Sequence, residues 1–110
     1  MALIIKTDKP NGLLTAIRKG IDDKIIDTWS YDEDGDFTHT PPQWKKKAWL
    51  RPKIFEGELR FGIIKPKADE PNRTIYGVYH GRFIEMLLTH LFSKFTNAIA
   101  TSQKTDIDTF

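Results

Sequence analysis

The chain contains no cysteine. Disulfide bonds, thiolate metal sites and a cysteine nucleophile are therefore excluded. The absence fits a reducing compartment. Long apolar runs are missing as well. The longest candidate, Phe83 to Phe92, is interrupted by Glu85, Thr89 and His90, so it falls short of the roughly 20 apolar residues of a membrane span. The opening run, Met1 to Lys6, is too short for the apolar segment of a signal peptide. A cytoplasmic address follows. The phosphate-cradling and nucleophile-elbow patterns are absent: there is no P-loop, no G-x-G-x-x-G and no G-x-S-x-G. His39, His80 and His90 show no zinc-like spacing and no H-E-x-x-H. No repeat or low-complexity segment occurs. The sequence thus presents no catalytic residues, no metal site and no cofactor signature.

What is present is enough for a core. In 110 residues, 39% are apolar, with three tryptophans, three tyrosines and seven phenylalanines. A chain of this length is one domain and buries roughly two-thirds of its unfolded surface. The net charge of +2 is small, but it is unevenly spread. Residues 22–36 hold Asp22, Asp23, Asp27, Asp32, Glu33, Asp34 and Asp36 against Lys24, a local charge of −6. Residues 41–67 hold Lys45, Lys46, Lys47, Arg51, Lys53, Arg60, Lys65 and Lys67 against Glu56 and Glu58, a local charge of +6. Either the two blocks neutralise one another in the fold, or they form opposed surface patches.

The periodicities predict an α+β fold. Leu3-Ile4-Ile5 reads as a buried strand. Thr7 or Asp8 would cap a helix opening at Pro10, with Leu13, Leu14, Ile17 and Ile21 at helical spacing. Ile25 to Tyr31 and Asp36 to Thr40 form two strands around the turn Asp32-Glu33-Asp34-Gly35. Thr40-Pro41-Pro42-Gln43 resembles a capping box and predicts one helical turn to Lys47. Ala48 to Phe55 and Glu58 to Ile64 flank Glu56-Gly57 as a hairpin. Pro66 ends its second arm, and 67–73 reads as a polar loop. Thr74 to His80 carries β-branched and aromatic residues and reads as one more strand. From Arg82 to Ala100, Phe83, Ile84, Leu87, Leu88, Leu91, Phe92, Phe95, Ala98 and Ile99 fill about half of a helical wheel. The predicted order is β-α-β-β-β-β-β-α: an antiparallel sheet of five or six strands with two helices on one face. Residues 1–101 form the domain, and 102–110 a flexible tail.

Three clusters could carry function. Asp32-Glu33-Asp34-Gly35-Asp36 suggests calcium, but an EF-hand loop with Gly35 at its sixth position has Pro41 at its twelfth, which offers no carboxylate. The cluster reads as an acidic turn. His80, Gly81 and Arg82 sit where the last strand would feed the last helix. Free N–H groups there attract anions, and Arg82 can grip a phosphate or carboxylate. Lys45, Lys47, Trp49, Arg51 and Lys53 mix cations with an aromatic. On a strand, Lys47, Trp49, Arg51, Lys53 and Phe55 share one face, which could stack bases and hold phosphates. The same pattern is also a solvated sheet face whose cationic stems cover the tryptophan.

The segments Thr28-Trp29-Ser30-Tyr31-Asp32 and Tyr76-Gly77-Val78-Tyr79-His80-Gly81-Arg82-Phe83 resemble small uncharacterised bacterial α+β proteins found in structural surveys. The resemblance implies a bacterial cytoplasmic protein and no particular activity. Taken together, the residues favour a non-catalytic, self-associating interaction module, a homodimer through the C-terminal helix. A nucleic-acid-binding module using the basic-aromatic hairpin is the second reading. A small enzyme or anion-binding protein at the start of the C-terminal helix is the third.

Overall fold

The computed structural model of the protein describes residues 1–65 and 72–109. Pro66 and most of the predicted polar loop lie outside the described residues. The elements run β1 (Leu3–Lys6), α1 (Pro10–Asp22), β2 (Trp29–Tyr31), β3 (Phe37–His39), β4 (Trp49–Phe55), β5 (Glu58–Ile64), α2 (Arg73–His90) and β6 (Asn97–Ala100). A 3-10 turn, Phe92–Lys94, joins the last two. The strands make one six-stranded sheet in the order β2-β3-β4-β5-β1-β6, with every pair antiparallel. This is the α+β architecture expected, with the final strand and helix exchanged in order. Among the described residues, no helix is long and apolar enough to cross a membrane.

The sheet follows from period-two patterning. Leu3 and Ile5 stand opposite Phe61 and Leu59, and Leu50 stands opposite Ile63. All six are completely buried. Their neighbours Ile4, Arg60, Gly62 and Arg51 therefore face the other side. The hairpin turns at Gly57 with φ +73°, the left-handed region that glycine adopts without a Cβ penalty.

Both helices cover the Leu-Phe face. Phe37 meets the Phe83 ring of α2 at 5.9 Å, and the Arg18 guanidinium of α1 lies 5.9 Å from the same Phe37 ring. Phe83 also meets Phe61 at 4.7 Å and Trp29 at 4.9 Å. A fully buried aromatic of this kind typically contributes about 3–5 kcal/mol relative to Ala. Leu13 and Ile17 supply the buried face of α1.

Several local expectations are corrected. Neither Thr7 nor Asp8 caps α1, whose flanking residue Lys9 makes no side-chain cap bond. The Thr7 hydroxyl instead donates to the carbonyl of Lys94 at 2.8 Å, tying the helix entry to the chain beyond α2. Trp44 N and Lys45 N both donate to Pro41 O, at 2.8 and 2.9 Å, closing the one turn expected there, but Thr40 Oγ1 reaches Asp27 O instead of capping it. The predicted strand 74–80 is helix. Asn72 Oδ1 accepts from Thr74 N at 2.9 Å and Ile75 N at 3.2 Å, which caps α2. Tyr76, Tyr79, His80, Phe83, Met86 and Leu87 are its buried side. That spacing of three and four belongs to a helix and overrides the strand propensity of the individual residues.

The predicted helix to Ala100 ends at His90. The chain turns at Leu91, whose φ is −133°, and returns as β6 along β1. Without β6, one edge of β1 would leave N–H and C=O groups of a buried strand without partners. Thr96 N donates to Lys6 O and Thr101 N to Ala2 O, extending that pairing at both ends.

Residues 102–109, expected as a flexible tail, lie against the sheet. Thr109 N donates to Ile63 O at 2.8 Å, beyond the point where β1 stops opposite Phe61. The buried Asp108 carboxylate accepts from Ile63 N at 2.8 Å. Gly62 makes room for this segment: a Cβ there would stand 2.0 Å from the Ile107 carbonyl oxygen.

Candidate functional site

The helix start that would have formed an anion site is absent at residues 80–82. His80, Gly81 and Arg82 lie inside α2, which begins at Arg73. Their amides are spent within the helix ladder and offer nothing to an anion. Arg82 Nη1 sits 3.3 Å from Glu85 Oε2 on the same exposed surface. The buried His80 points inward, with Nδ1 2.8 Å from Tyr76 O and Nε2 2.7 Å from Met1 O. Two carbonyl acceptors favour a protonated ring, but burial disfavours it and is the larger effect. The pKa is held below the ordinary histidine value. His80 thus joins α2 to the start of the chain.

The basic hairpin forms as a shared face, with additions. Trp49, Arg51 and Lys53 stand opposite Ile64, Gly62 and Arg60, on the side of the sheet away from the helices. Lys45 and Lys47 lie in the exposed turn before β4. Arg51 does not project freely. Its Nε donates to Asp36 Oδ1 at 3.0 Å and its Nη2 to Asp36 Oδ2 at 2.8 Å. This fork-to-carboxylate pairing raises the Arg51 pKa further. It joins the basic block to the acidic one, so part of the charge separation in the sequence is cancelled by folding. Farther along the face, Arg60 lies over the Phe55 ring at 4.3 Å. Glu58 takes both Lys6 and Arg60, which lowers its pKa.

The acidic turn is built locally. Asp32 Oδ1 accepts from Asp34 N and Asp36 N, each at 3.0 Å. Carboxylate oxygens of Asp32, Asp34 and Asp36 lie within 4.8 Å of one another. Among the described residues this is the only such group of three, and it contains no histidine. Asp36 is already committed to Arg51. His39 is buried against Trp29 at 4.5 Å between ring centroids, and its Nδ1 meets Thr28 O at 2.8 Å. Burial lowers its pKa.

The surface least explained by the rest of the chain is the outer side of α2. Leu88 is 56% exposed and Phe92 71% exposed, while Leu87 and Leu91 beside them are buried. Gly77 and Gly81 are also exposed, and among the described residues no neighbouring atom lies within 4 Å of where a Cβ would stand at either. Sequence reasoning placed Leu87 and Leu88 correctly on a helix but extended that helix too far, through Leu91 and Phe92 to Ala100. It read Gly81 as part of a strand-to-helix junction and missed Gly77 because it assigned that segment to a strand. Their spacing of four was legible once helix is the state.

No family model matches the chain, and no curated protein or solved structure matches it either.

Proposed function

We propose that this chain is a non-catalytic, self-associating interaction module of the bacterial cytoplasm, a homodimer through α2. The observation that carries the reading is the outward placement of Leu88, near the end of a helix whose other face already fills the core, and of Phe92 in the turn that follows it. Full burial of one such side chain is worth about 1.5–3 kcal/mol. A second copy supplies that burial most simply by two-fold pairing. The polar residues support the same reading. His39, His80, Arg51 and Asp36 are each engaged in bonds that hold the fold. The nucleic-acid reading is weaker, because Arg51 is committed to Asp36 and the acidic turn lies next to the basic face.

A single helix face buries less than a standard interface, so the association belongs to the weak, transient class. Light scattering over about 10–300 µM chain tests it, since a weak dimer forms by mass action. The mass should rise from 12.7 kDa towards twice that value. Leu88→Glu or Phe92→Glu should leave a folded monomer, because both side chains point away from the core. A constant 12.7 kDa across the range would end the proposal.

A further inference from the structure

Resting on the self-association reading, we infer that two copies join edge to edge through β6, antiparallel, so that their sheets run on as one across a two-fold axis at Ile99. β6 is the last strand of the sheet, with no strand beyond it among the described residues. Its backbone direction is set by β1. Thr101 N donates to Ala2 O, so in this antiparallel register Ile99 and Asn97 also turn their N–H and C=O groups towards β1. Those of Ala98 and Ala100 point the other way, along the open edge.

The two edges of the sheet differ. β2, at the far edge, is three residues long and lies between Asp27 and Asp32, with Glu33 and Asp34 following. A short strand between carboxylates repels a second copy. Around β6, from Phe95 to Gln103, there is no charged residue and no proline. Ile99 at its centre is 48% exposed. This edge carries neither of those devices that keep strands apart. The sequence also selects the occupant. Ala98-Ile99-Ala100 reads the same in both directions, so a second copy matches it residue for residue. With Ile99 on the axis, Ala98 of each copy stands opposite Ala100 of the other. Those are the residues whose backbone groups face outward, and each such pair exchanges both of its hydrogen bonds. Ile99 then faces its own copy at a non-hydrogen-bonded position, where cross-strand side chains approach most closely.

Helix α2 fits the same axis. His80, Ile84 and Leu88, spaced four apart, run along one flank of it. His80 shares a hollow of about 610 Å³ with Ala100 and Thr101, so this flank looks towards β6. Strand pairing therefore brings the half-buried Ile84 and the exposed Leu88 of each copy towards the other above the joined strands. The strand edge adds directed hydrogen bonds to an apolar patch that is small alone.

The absence of native cysteine makes the test direct. In the pair, the two copies of residue 99 have Cα atoms about 4.5 Å apart, inside the range a disulfide spans. Mild oxidation of Ile99→Cys should give a covalent dimer. Lys53→Cys is exposed on the same side of the sheet but three strands inward, so it reports random collision and should not cross-link. Ala98→Pro removes an N–H that points away from β1. It should raise the dissociation constant about tenfold or more while leaving the circular dichroism intact. Ile99→Lys should do the same by setting like charges on the axis. Equal cross-linking of the two cysteine variants, or a dimer untouched by both Ala98→Pro and Ile99→Lys, overturns the strand pairing and leaves association through α2 standing. Growth past the dimer mass means open-ended association and overturns the two-fold arrangement. A monomer at every concentration removes both.

Discussion

The buried carboxylate of Asp108 offers the sharpest test of how the chain closes. It accepts from Ile63 N at 2.8 Å, Thr105 N at 2.7 Å and Thr105 Oγ1 at 3.0 Å. Its side chain has no exposed surface. Asp108→Ala removes both acceptor oxygens and with them all three hydrogen bonds, together with the 3.5 Å ion pair between Oδ2 and the Met1 amino group. The Ile63 N–H is left buried without a partner, at a cost of about 1–3 kcal/mol. Thr105 is only half-buried, so water replaces part of its loss, leaving about 1 kcal/mol. The expected destabilisation is about 3 kcal/mol. With a urea m-value near 1.5 kcal/mol/M, the midpoint falls by about 2 M. Asp108→Asn keeps one carbonyl oxygen for Ile63 N and loses the acceptor facing Thr105, so its effect should be about half as large. Urea denaturation followed by tryptophan fluorescence measures both. Trypsin cleavage at Lys104 reports whether the segment has come away. An alanine variant whose midpoint stays within about 0.3 M of the unmutated protein, with Lys104 uncut, would refute the account of this segment as an integral part of the fold.

Two further outcomes are expected. Gly57→Ala should cost about 1 kcal/mol from backbone strain at φ +73°, since among the described residues no atom lies within 4 Å of the added Cβ. An unchanged urea midpoint would show that the hairpin turn relaxes freely. Stability should also fall as pH drops from about 6.5 towards 5. Burial holds the pKa of both His80 and His39 below the ordinary value, so the unfolded chain takes up protons in that window and the folded chain does not. Around His80, Asp108 opposes this and the chain's amino group reinforces it; the depressed Glu58 acts only at lower pH. Urea midpoints at three pH values decide the matter. His80→Gln should flatten the slope, and a midpoint that rises on acidification would reverse the sign argued here.

The hairpin of β4 and β5 was legible in full, because alternation of Leu59, Phe61 and Ile63 and a glycine at the turn are local signals. So were β1 and the first helix from Pro10; the strands around the acidic turn pair as expected, but the first begins at Trp29 rather than Ile25 and the second spans only Phe37–His39. The basic face was legible in part: which side chains share it follows from period two, but the Arg51–Asp36 pair joins residues far apart in sequence. The last third of the chain misled. Tyr76, Val78 and Tyr79 have strand propensity, yet Asn72 caps a helix and the buried spacing continues it. Conversely, Asn97 to Ala100 continues a helical wheel on paper but forms a strand.

Sequence by itself determined the period of β1, α1, β4 and β5, the turn that needs a positive φ, and the exclusion of cysteine chemistry. Those depend on neighbours within a few residues. Only the tertiary structure decided where the last helix stops, that β6 covers the open edge of β1, that the final residues dock beside Gly62, and which leucines face out. Each of these is settled by unpaired backbone groups or buried surface contributed by residues distant in the chain. No local window contains them.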